Sequence, residues 1–313
     1  MKYFKGKYVV GVDVGGTNIK LGLVSPQGVV IARSHFSTKP FLSSKKKLIE
    51  VLSKEIKEIY ISKGLKVKDI AGVGVGLPGL IDRPKGMVRF LPNIPGWNNV
   101  PVKSILERKL NFPVHVENDV KLITLAEWKL GAGRGIKNLI CLTLGTGVGS
   151  GLVLNDHLYR GVDNAAGELG HMPLNETGLP CNCGGFGCLE TYVGNKYLNA
   201  LANRIMKKSD MTTQKMFAFA NQGNLKAIRF WRQAATHIGN GLVGIINLLN
   251  PELIVIGGGI ANNEKYLFPV IRSVIKKRAM RLQGAMVKIK RAKFGDDAGI
   301  IGAYVLVSNA KKI

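Results

Sequence analysis

Apolar and polar residues near the start of the chain form short runs around glycine turns, a pattern typical of strands. Two apolar runs, residues 9–14 and 19–24, flank the turn Gly15-Gly16-Thr17-Asn18. A third run, residues 29–32, follows the turn 25–28, which has proline at its second position. The pattern predicts a β-hairpin followed by a third strand.

A change of period between residues 43 and 64 predicts the first helix. Apolar residues recur there at helical spacing, either Ser43 or Ser44 offers an N-cap, and Gly64 ends the element. The pattern then predicts a strand, a Pro/Gly-rich loop, a second strand and a helix, at residues 70–75, 76–101, 114–116 and 119–131. This β-α-β alternation indicates an α/β chain.

The second half of the chain opens with a weak internal repeat. Residues 142–153 repeat the order strand, glycine turn, strand that begins at residue 12. Two similar hairpins at the head of two similar halves indicate a duplicated domain. We expect the remainder to form a glycine- and cysteine-rich insertion, a helical region, a strand and an apolar helix, at residues 161–190, 191–250, 253–256 and 298–308.

Composition adds an excess of glycine and of positive charge. The chain has 313 residues, of which 39 are glycine, and its 46% hydrophobic residues exclude a disordered chain. Lys and Arg number 45 against 20 Asp and Glu, a net charge of +25 that favours anionic partners. The basic region 276–293 could steer ATP, contact RNA non-specifically or reflect the composition of the source organism, and we favour the last interpretation.

Cysteine usage and the lack of membrane-length apolar runs indicate a cytoplasmic protein. The four cysteines come without a secretory leader, which points to a reducing compartment. Two uncharged stretches, residues 138–155 and 233–251, are interrupted by glycine or asparagine. We therefore expect no membrane partner.

The two glycine turns are candidate phosphate sites. Glycines at positions 15 and 16 let backbone N–H groups approach a phosphate, Thr17 adds a hydroxyl donor, and Asp13 at the strand end can hold Mg²⁺. An ordinary hairpin turn is the alternative. The second copy, Gly145-Thr146-Gly147, favours two hairpins that converge on one polyphosphate.

Residues 74–79 match the dinucleotide spacing G-x-G-x-x-G without its context. That fingerprint opens a helix, whereas Pro78 lies inside this copy and another proline follows at position 84. A Rossmann site is therefore not expected, and no P-loop motif is present.

His171, Cys181, Cys183 and Cys188 have the spacing of a closed zinc site. One imidazole and three thiolates complete a tetrahedral set of the structural type, with no position left for water. A disulfide is the alternative, disfavoured by the cytosolic context. Cys141 lies in an apolar strand and is expected to be buried.

Four more polar residues are candidates for sugar chemistry. Asn118-Asp119 joins a strand to a helix, where the aspartate is either an N-cap or a general base toward a hydroxyl. Glu168 and Glu190 bracket the metal loop, together with His171, and suit hydrogen bonds to sugar hydroxyls. Each could instead be a surface residue.

Together these residues resemble the ROK family of sugar kinases and repressors, and within it the bacterial-type glucokinases. The resemblance covers essentially the whole chain, and its most specific motifs are residues 167–171 and 181–190. It implies an α/β, actin-like and hexokinase-like ATPase fold of two duplicated domains around a nucleotide cleft. We expect an N-terminal domain of residues 1–118 completed by the helix 298–313, and a larger domain of residues 119–297 with the zinc loop 171–188.

The resemblance also implies roles for the candidate residues. ATP with Mg²⁺ would bind at Asp13, Gly15, Gly16, Thr17, Asn18, Gly145, Thr146, Gly147, Gly257 and Gly258, with the last two near the nucleoside. The sugar would bind at Gly79, Asn118, Asp119, Glu168, His171 and Glu190, with Asp119 as general base. His171 would serve both zinc and sugar, so that the zinc braces the sugar pocket.

The implied reaction is ATP-dependent phosphorylation of the C6 hydroxyl of glucose. N-acetylmannosamine, N-acetylglucosamine, mannose and fructose are alternative sugars, which the loop 91–98 helps to distinguish, and polyphosphate is an alternative donor. A sugar-responsive repressor is a second interpretation, but the helix-turn-helix of such proteins has no room before the strand that starts near Tyr8. A sugar-responsive regulator that lacks the helix-turn-helix is a third, disfavoured by Asp119 and the two phosphate turns. We therefore expect no specific nucleic-acid partner, and a homodimer or homotetramer.

Overall fold

The computed structural model describes residues 6–41, 44–91 and 96–310 of the chain. These residues form two compact units. The first unit contains the described residues up to 134 together with 157–166 and 294–310, and the second contains 135–156 and 167–293. Within the described ranges, no helix is both long and apolar enough to span a membrane.

The first unit is built from eight strands and four helices among its described residues. The strands are β1 (Tyr8–Val14), β2 (Asn18–Val24), β3 (Val30–Ser37), β4 (Ile70–Leu77), β5 (Leu80–Asp82), β6 (Met87–Phe90), β7 (Val114–Asn118) and β10 (His157–Tyr159). The helices are α1 (Lys45–Ile61), α2 (Val102–Leu110), α3 (Asp119–Lys129) and α10 (Ala298–Ser308).

Five of these strands form a mixed sheet in the order β3-β2-β1-β4-β7. The hairpins β1–β2 and β2–β3 are antiparallel, whereas β4 and β7 run parallel to β1. Because β1 and β7 are parallel strands of one sheet, the ends that lead into the Gly15 turn and into Asp119 lie at the same sheet edge. The sheet topology therefore places the candidate residues of this unit at one edge of the sheet.

Helix α10 packs on this sheet over glycines that bring its backbone close. A Cβ on Gly11 would lie 2.6 Å from the Ile300 carbonyl oxygen, and one on Gly74 would lie 2.7 Å from the Ala303 carbonyl oxygen. The residues from Ala298 to Val307 are all buried, which explains why the helix is apolar on every side. Helix α10 is thus part of the first unit.

The second unit contains the other strands and helices. Its strands are β8 (Leu139–Leu144), β9 (Val148–Leu154), β11 (Leu253–Gly257) and β12 (Lys288–Arg291). Its helices are α4 (Glu190–Val193), α5 (Asn195–Met206), α6 (Thr213–Asn221), α7 (Leu225–Leu249), α8 (Glu264–Arg278) and α9 (Arg281–Met286). Strands β9-β8-β11-β12 lie side by side, with β8–β9 antiparallel and the other pairs parallel. The hairpin β8–β9 thus repeats the hairpin β1–β2, as the internal repeat predicts.

Most predicted elements are present, and one prediction is wrong. The stretch 76–101, expected to be a loop, contains the antiparallel hairpin β5–β6. Ser44 caps α1 by accepting a hydrogen bond from the Lys47 N–H at 3.3 Å. Ser43, and residues 92–95 of the expected specificity loop, lie outside the described residues. The compact units place α3 with the first unit, and the expected domain division at 118/119 stays a prediction.

Candidate functional site

The first glycine turn joins β1 to β2 and is held in shape by backbone hydrogen bonds. The Gly15 N–H donates to the Asn18 carbonyl at 2.9 Å, and the Thr38 hydroxyl donates to the Gly15 carbonyl at 2.9 Å. Gly16, Thr17 and Asn18 are exposed. The turn therefore presents its backbone and the Thr17 hydroxyl to a ligand, as a phosphate site requires.

Asp13 and Asp119 are electrostatically coupled carboxylates of the first unit. Burial, and then the negative charge of Asp119, raise the pKa of Asp13 from 3.8 to about 7, and Lys20 opposes this rise. Gly299, in the first turn of α10, has no side chain, so that a Cβ there would lie 2.5 Å from Asp13 Oδ2. A buried carboxylate that feels the charge of a second one favours a bound cation or a shared proton.

The junction between β7 and α3 positions Asn118 and Asp119. The Asn118 side chain caps α3, since its Oδ1 accepts a hydrogen bond from the Lys121 N–H at 3.1 Å. Its Nδ2 donates to the Gly79 carbonyl at 3.2 Å. Gly79 has φ +87°, a conformation that favours glycine. The structure therefore brings Gly79, Asn118 and Asp119 together, and Asn118 rather than Asp119 is the N-cap.

In the second unit, Glu190 is bound to the second glycine turn. Glu190 Oε2 accepts a hydrogen bond from the Val148 N–H at 2.9 Å. A Cβ on Gly147 would lie 2.4 Å from the same oxygen, so glycine is required for this contact. Among the described residues, and apart from Gly145 and its two chain neighbours, no heavy atom lies within 4 Å of the place that a Cβ on Gly145 would take, which leaves room for a ligand.

Gly257 and Gly258 lie beside the strand that leads into this turn. Gly257 at the end of β11 pairs with Thr143 of β8. Gly258 has φ +86°, and a Cβ there would lie 2.2 Å from the Leu144 carbonyl oxygen. The second turn and the glycines expected near the nucleoside are therefore neighbours.

Ser150 of β9 forms hydrogen bonds with the segment that contains Glu168 and His171. Its hydroxyl donates to the Gly167 carbonyl at 2.5 Å and accepts from the Leu169 N–H at 3.3 Å. Ser150 is buried, whereas Glu168 is exposed and His171 is partly buried. Sequence reasoning missed this serine, because its partner lies 17 residues away and no local motif connects the two.

The four candidate metal ligands converge. One ligand atom from each of His171, Cys181, Cys183 and Cys188 lies within 4.8 Å of the others. His171 Nδ1 is 3.5 Å from Cys181 Sγ, and the sulfurs of Cys183 and Cys188 are 3.7 Å apart. A tetrahedral zinc ion with Zn–S of about 2.3 Å and Zn–N of about 2.0 Å needs separations of about 3.5 Å and 3.8 Å.

The electrostatics of this cluster also suit a cation. Burial and the neighbouring thiols raise the pKa of Cys188 to about 12. A backbone hydrogen bond from Gly185 is the main cause that lowers the pKa of Cys183. A divalent ion offsets the cost of burying several thiolates together. The residues therefore fit zinc, and the contact through Nδ1 leaves His171 Nε2 for another partner.

Comparison with known proteins identifies the family. A family model described as the ROK family matches residues 9–310. The chain belongs to the ROK family. Within the ROK family, a glucokinase from Thermotoga maritima is 33% identical over 312 residues, which cover 96% of this chain and 96% of that protein. A xylose repressor from Caldicellulosiruptor bescii is 29% identical over 311 residues, which cover 96% of this chain and 77% of the repressor.

A solved ROK structure supports the fold. The ROK family glucokinase from Streptomyces griseus, in complex with glucose and AMPPNP, superposes with a TM-score of 0.82 at 29% identity, covering 96% of this chain and 98% of that one. Together with the two mixed α/β units, this similarity assigns the expected actin-like, hexokinase-like fold.

Proposed function

We propose that this ROK protein is an ATP-dependent sugar kinase that phosphorylates the C6 hydroxyl of glucose. Similarity to glucokinases along nearly the full chain supports the kinase assignment. The observation that carries the chemistry is that the parallel strands β1 and β7 end at the same sheet edge, where the charge of Asp119 acts on Asp13, so that one carboxylate is available for the metal–phosphate group and one for a proton.

Asp119 acts as the general base. It takes the proton of the C6 hydroxyl while that oxygen attacks the γ-phosphorus in line, and the bond from this phosphorus to the β,γ-bridging oxygen breaks to release ADP. Mg²⁺, held by Asp13 directly or through water, would offset the charge on the phosphoryl oxygens. The two glycine turns, residues 15–18 and 145–147, bind the phosphate chain, and Gly257-Gly258 lies near the nucleoside.

The remaining candidate residues hold the sugar. We assign hydrogen bonds to its hydroxyls to Gly79, Asn118, Glu168, His171 and Glu190. His171 contacts the cysteine cluster through Nδ1, so its Nε2 is the atom assigned to the sugar. His171, Cys181, Cys183 and Cys188 would hold a structural zinc, which would fix the orientation of this ring.

The experiment is an ADP-release assay with Mg-ATP and zinc-replete protein. The substrates are glucose, mannose, fructose, N-acetylglucosamine and N-acetylmannosamine, and we expect the highest kcat/KM with glucose. Highest turnover with another sugar keeps the reaction and replaces the substrate. No turnover with any sugar, with ATP or with polyphosphate, refutes the kinase assignment and favours a sugar-responsive regulator.

Matched variants test the base. Asp119→Asn removes the proton acceptor at constant size, and Asp163→Asn changes an exposed aspartate of the same unit. We expect the first variant to lose activity and the second to keep it. Equal activity of the two removes Asp119 from the role of base.

A further inference from the structure

Glu117 is a fully buried carboxylate next to the candidate base. It is 0% exposed and precedes Asn118 at the end of β7. Its Oε1 accepts a hydrogen bond from the Asn118 backbone N–H at 3.0 Å. A buried charge is tolerated only when it is paired and hydrogen-bonded. The hydrogen-bond partners of Glu117 therefore indicate its role.

Those partners come from a segment that lies about 40 residues further along the chain. Arg160 Nε donates to Glu117 Oε2 at 3.0 Å, and Asn164 Nδ2 donates to Glu117 Oε1 at 3.0 Å. A second guanidinium, that of Arg83, lies 3.7 Å from Oε2. Both carboxylate oxygens are therefore held from outside the β7–α3 junction.

The same segment is also hydrogen-bonded to α3, the helix that begins at Asp119. Lys121 of α3 is 3% exposed, and its Nζ donates to the Asn164 carbonyl at 2.6 Å. Asn164 Nδ2 donates in addition to the Ile81 carbonyl at 3.1 Å. Asn164 has φ +60°, a left-handed conformation that turns its side chain and carbonyl toward these partners. The junction is thus hydrogen-bonded to the segment on both sides of Asp119.

We infer that Glu117, Arg160 and Asn164 are positioning residues that fix the Asn118–Asp119 backbone for phosphoryl transfer. This inference rests on the proposed function, since the loss it predicts is a loss of turnover. A base must stay within hydrogen-bond reach of its hydroxyl, and a displacement of about 1 Å can cost about 100-fold in rate. Rigid anchoring of the residue before the base provides that accuracy.

A neighbouring ion pair, between Arg89 and Asp82, provides a matched control for the loss of a guanidinium. Arg160 and Asn164 line a cavity of about 490 Å³ together with Arg89. Within the described part of the chain, Arg89 donates hydrogen bonds to Asp82 and Asn99, and to no residue of the β7–α3 junction. Arg89→Met therefore removes a guanidinium from the same cavity wall without touching Glu117.

The kinetic test compares the kcat and KM of the wild type with those of variants whose new side chains introduce no steric strain. We expect Glu117→Gln and Arg160→Met to lower kcat by about 10- to 100-fold, with the KM for MgATP within twofold of wild type. Arg160→Lys keeps the positive charge but lacks the planar guanidinium of arginine, so we expect it to lose less kcat than Arg160→Met. Arg89→Met keeps kcat within twofold. Wild-type kcat in Glu117→Gln overturns the inference.

Amide hydrogen exchange tests positioning without activity. Asn164→Gly keeps the left-handed backbone and the carbonyl that Lys121 binds, while it removes the side chain, so this variant is expected to fold. We expect at least tenfold faster exchange of the Asn118 and Val120 amides in this variant and in Arg160→Met, with unchanged exchange in β1. Unchanged protection at the junction overturns the inference. A wild-type protein that is inactive with every sugar refutes the proposed function alone, because the exchange result still decides the positioning.

Discussion

Asp13 is expected to make the protein without nucleotide less stable as pH rises, which is the reverse of ordinary carboxylate behaviour. Its pKa in the folded protein is raised to about 7, first by burial and then by the charge of Asp119. Between about pH 4 and pH 7 the folded state therefore holds a proton that the unfolded state has released. Stability falls with pH wherever the folded state binds more protons, so the contribution of Asp13 is complete below pH 4 and lost above pH 7.

The magnitude follows from the shift. A rise from 3.8 to about 7, at about 1.4 kcal/mol for each pH unit, gives an upper value of about 4 kcal/mol. Relaxation and solvent screening reduce it, so we expect Asp13→Asn to raise the free energy of unfolding at pH 8 by about 2 kcal/mol. The gain should become small at pH 4, close to the unfolded-state pKa of 3.8, where Asp13 is protonated in the folded state and partly protonated in the unfolded state. The variant should still lose kinase activity, because it lacks the carboxylate assigned to Mg²⁺.

Urea denaturation at pH 4, 6 and 8, without magnesium or nucleotide, measures this effect. Asp297 is the control in the same unit, since a hydrogen bond from Arg33 is the main cause that lowers its pKa. Asp297→Asn should therefore lose stability at pH 8 rather than gain it. An Asp13→Asn protein that is no more stable than wild type at pH 8, or whose gain is equal at all three values, refutes the reasoning.

Three further predictions concern packing, metal and base. Gly11→Ala should lower the free energy of unfolding by about 1–3 kcal/mol, measured by urea denaturation, because its Cβ would meet the Ile300 backbone at 2.6 Å; an unchanged midpoint contradicts the packing of α10. Elemental analysis should find one zinc per chain, lost in Cys188→Ser and kept in Cys141→Ser, and metal-free folded wild type defeats the assignment. Asp119→Asn should lower kcat by at least ~100-fold in the ADP-release assay while calorimetry finds glucose affinity largely kept; near-normal turnover contradicts the base.

Local signals in the sequence predicted the elements that carry the candidate chemistry. The turns at Gly15 and Gly145 are marked by glycines between apolar runs, and both hairpins are present. The cluster of His171 and three cysteines follows from ligand spacing alone, and its atoms converge. The hairpin β5–β6 was missed because strands of three and four residues around Pro84 carry too little alternation to be distinguished from a loop.

Partners that are distant in the chain could not be predicted. Glu117 and Arg160 are separated by 43 residues, and each is an ordinary charged residue until the fold buries them together. Ser150 likewise acquires its role only when Gly167 lies beside β9. Such contacts depend on tertiary packing, for which one sequence contains no periodic signal.

Identification of the reaction product tests the central claim most directly. Wild-type protein is incubated with glucose, Mg-ATP and zinc, and the products are resolved by phosphorus and proton NMR. The account predicts glucose 6-phosphate and ADP in equal amounts, with neither formed by Asp119→Asn. ADP that appears with free phosphate and without a sugar phosphate, or a phosphate on another hydroxyl, would contradict the transfer to C6.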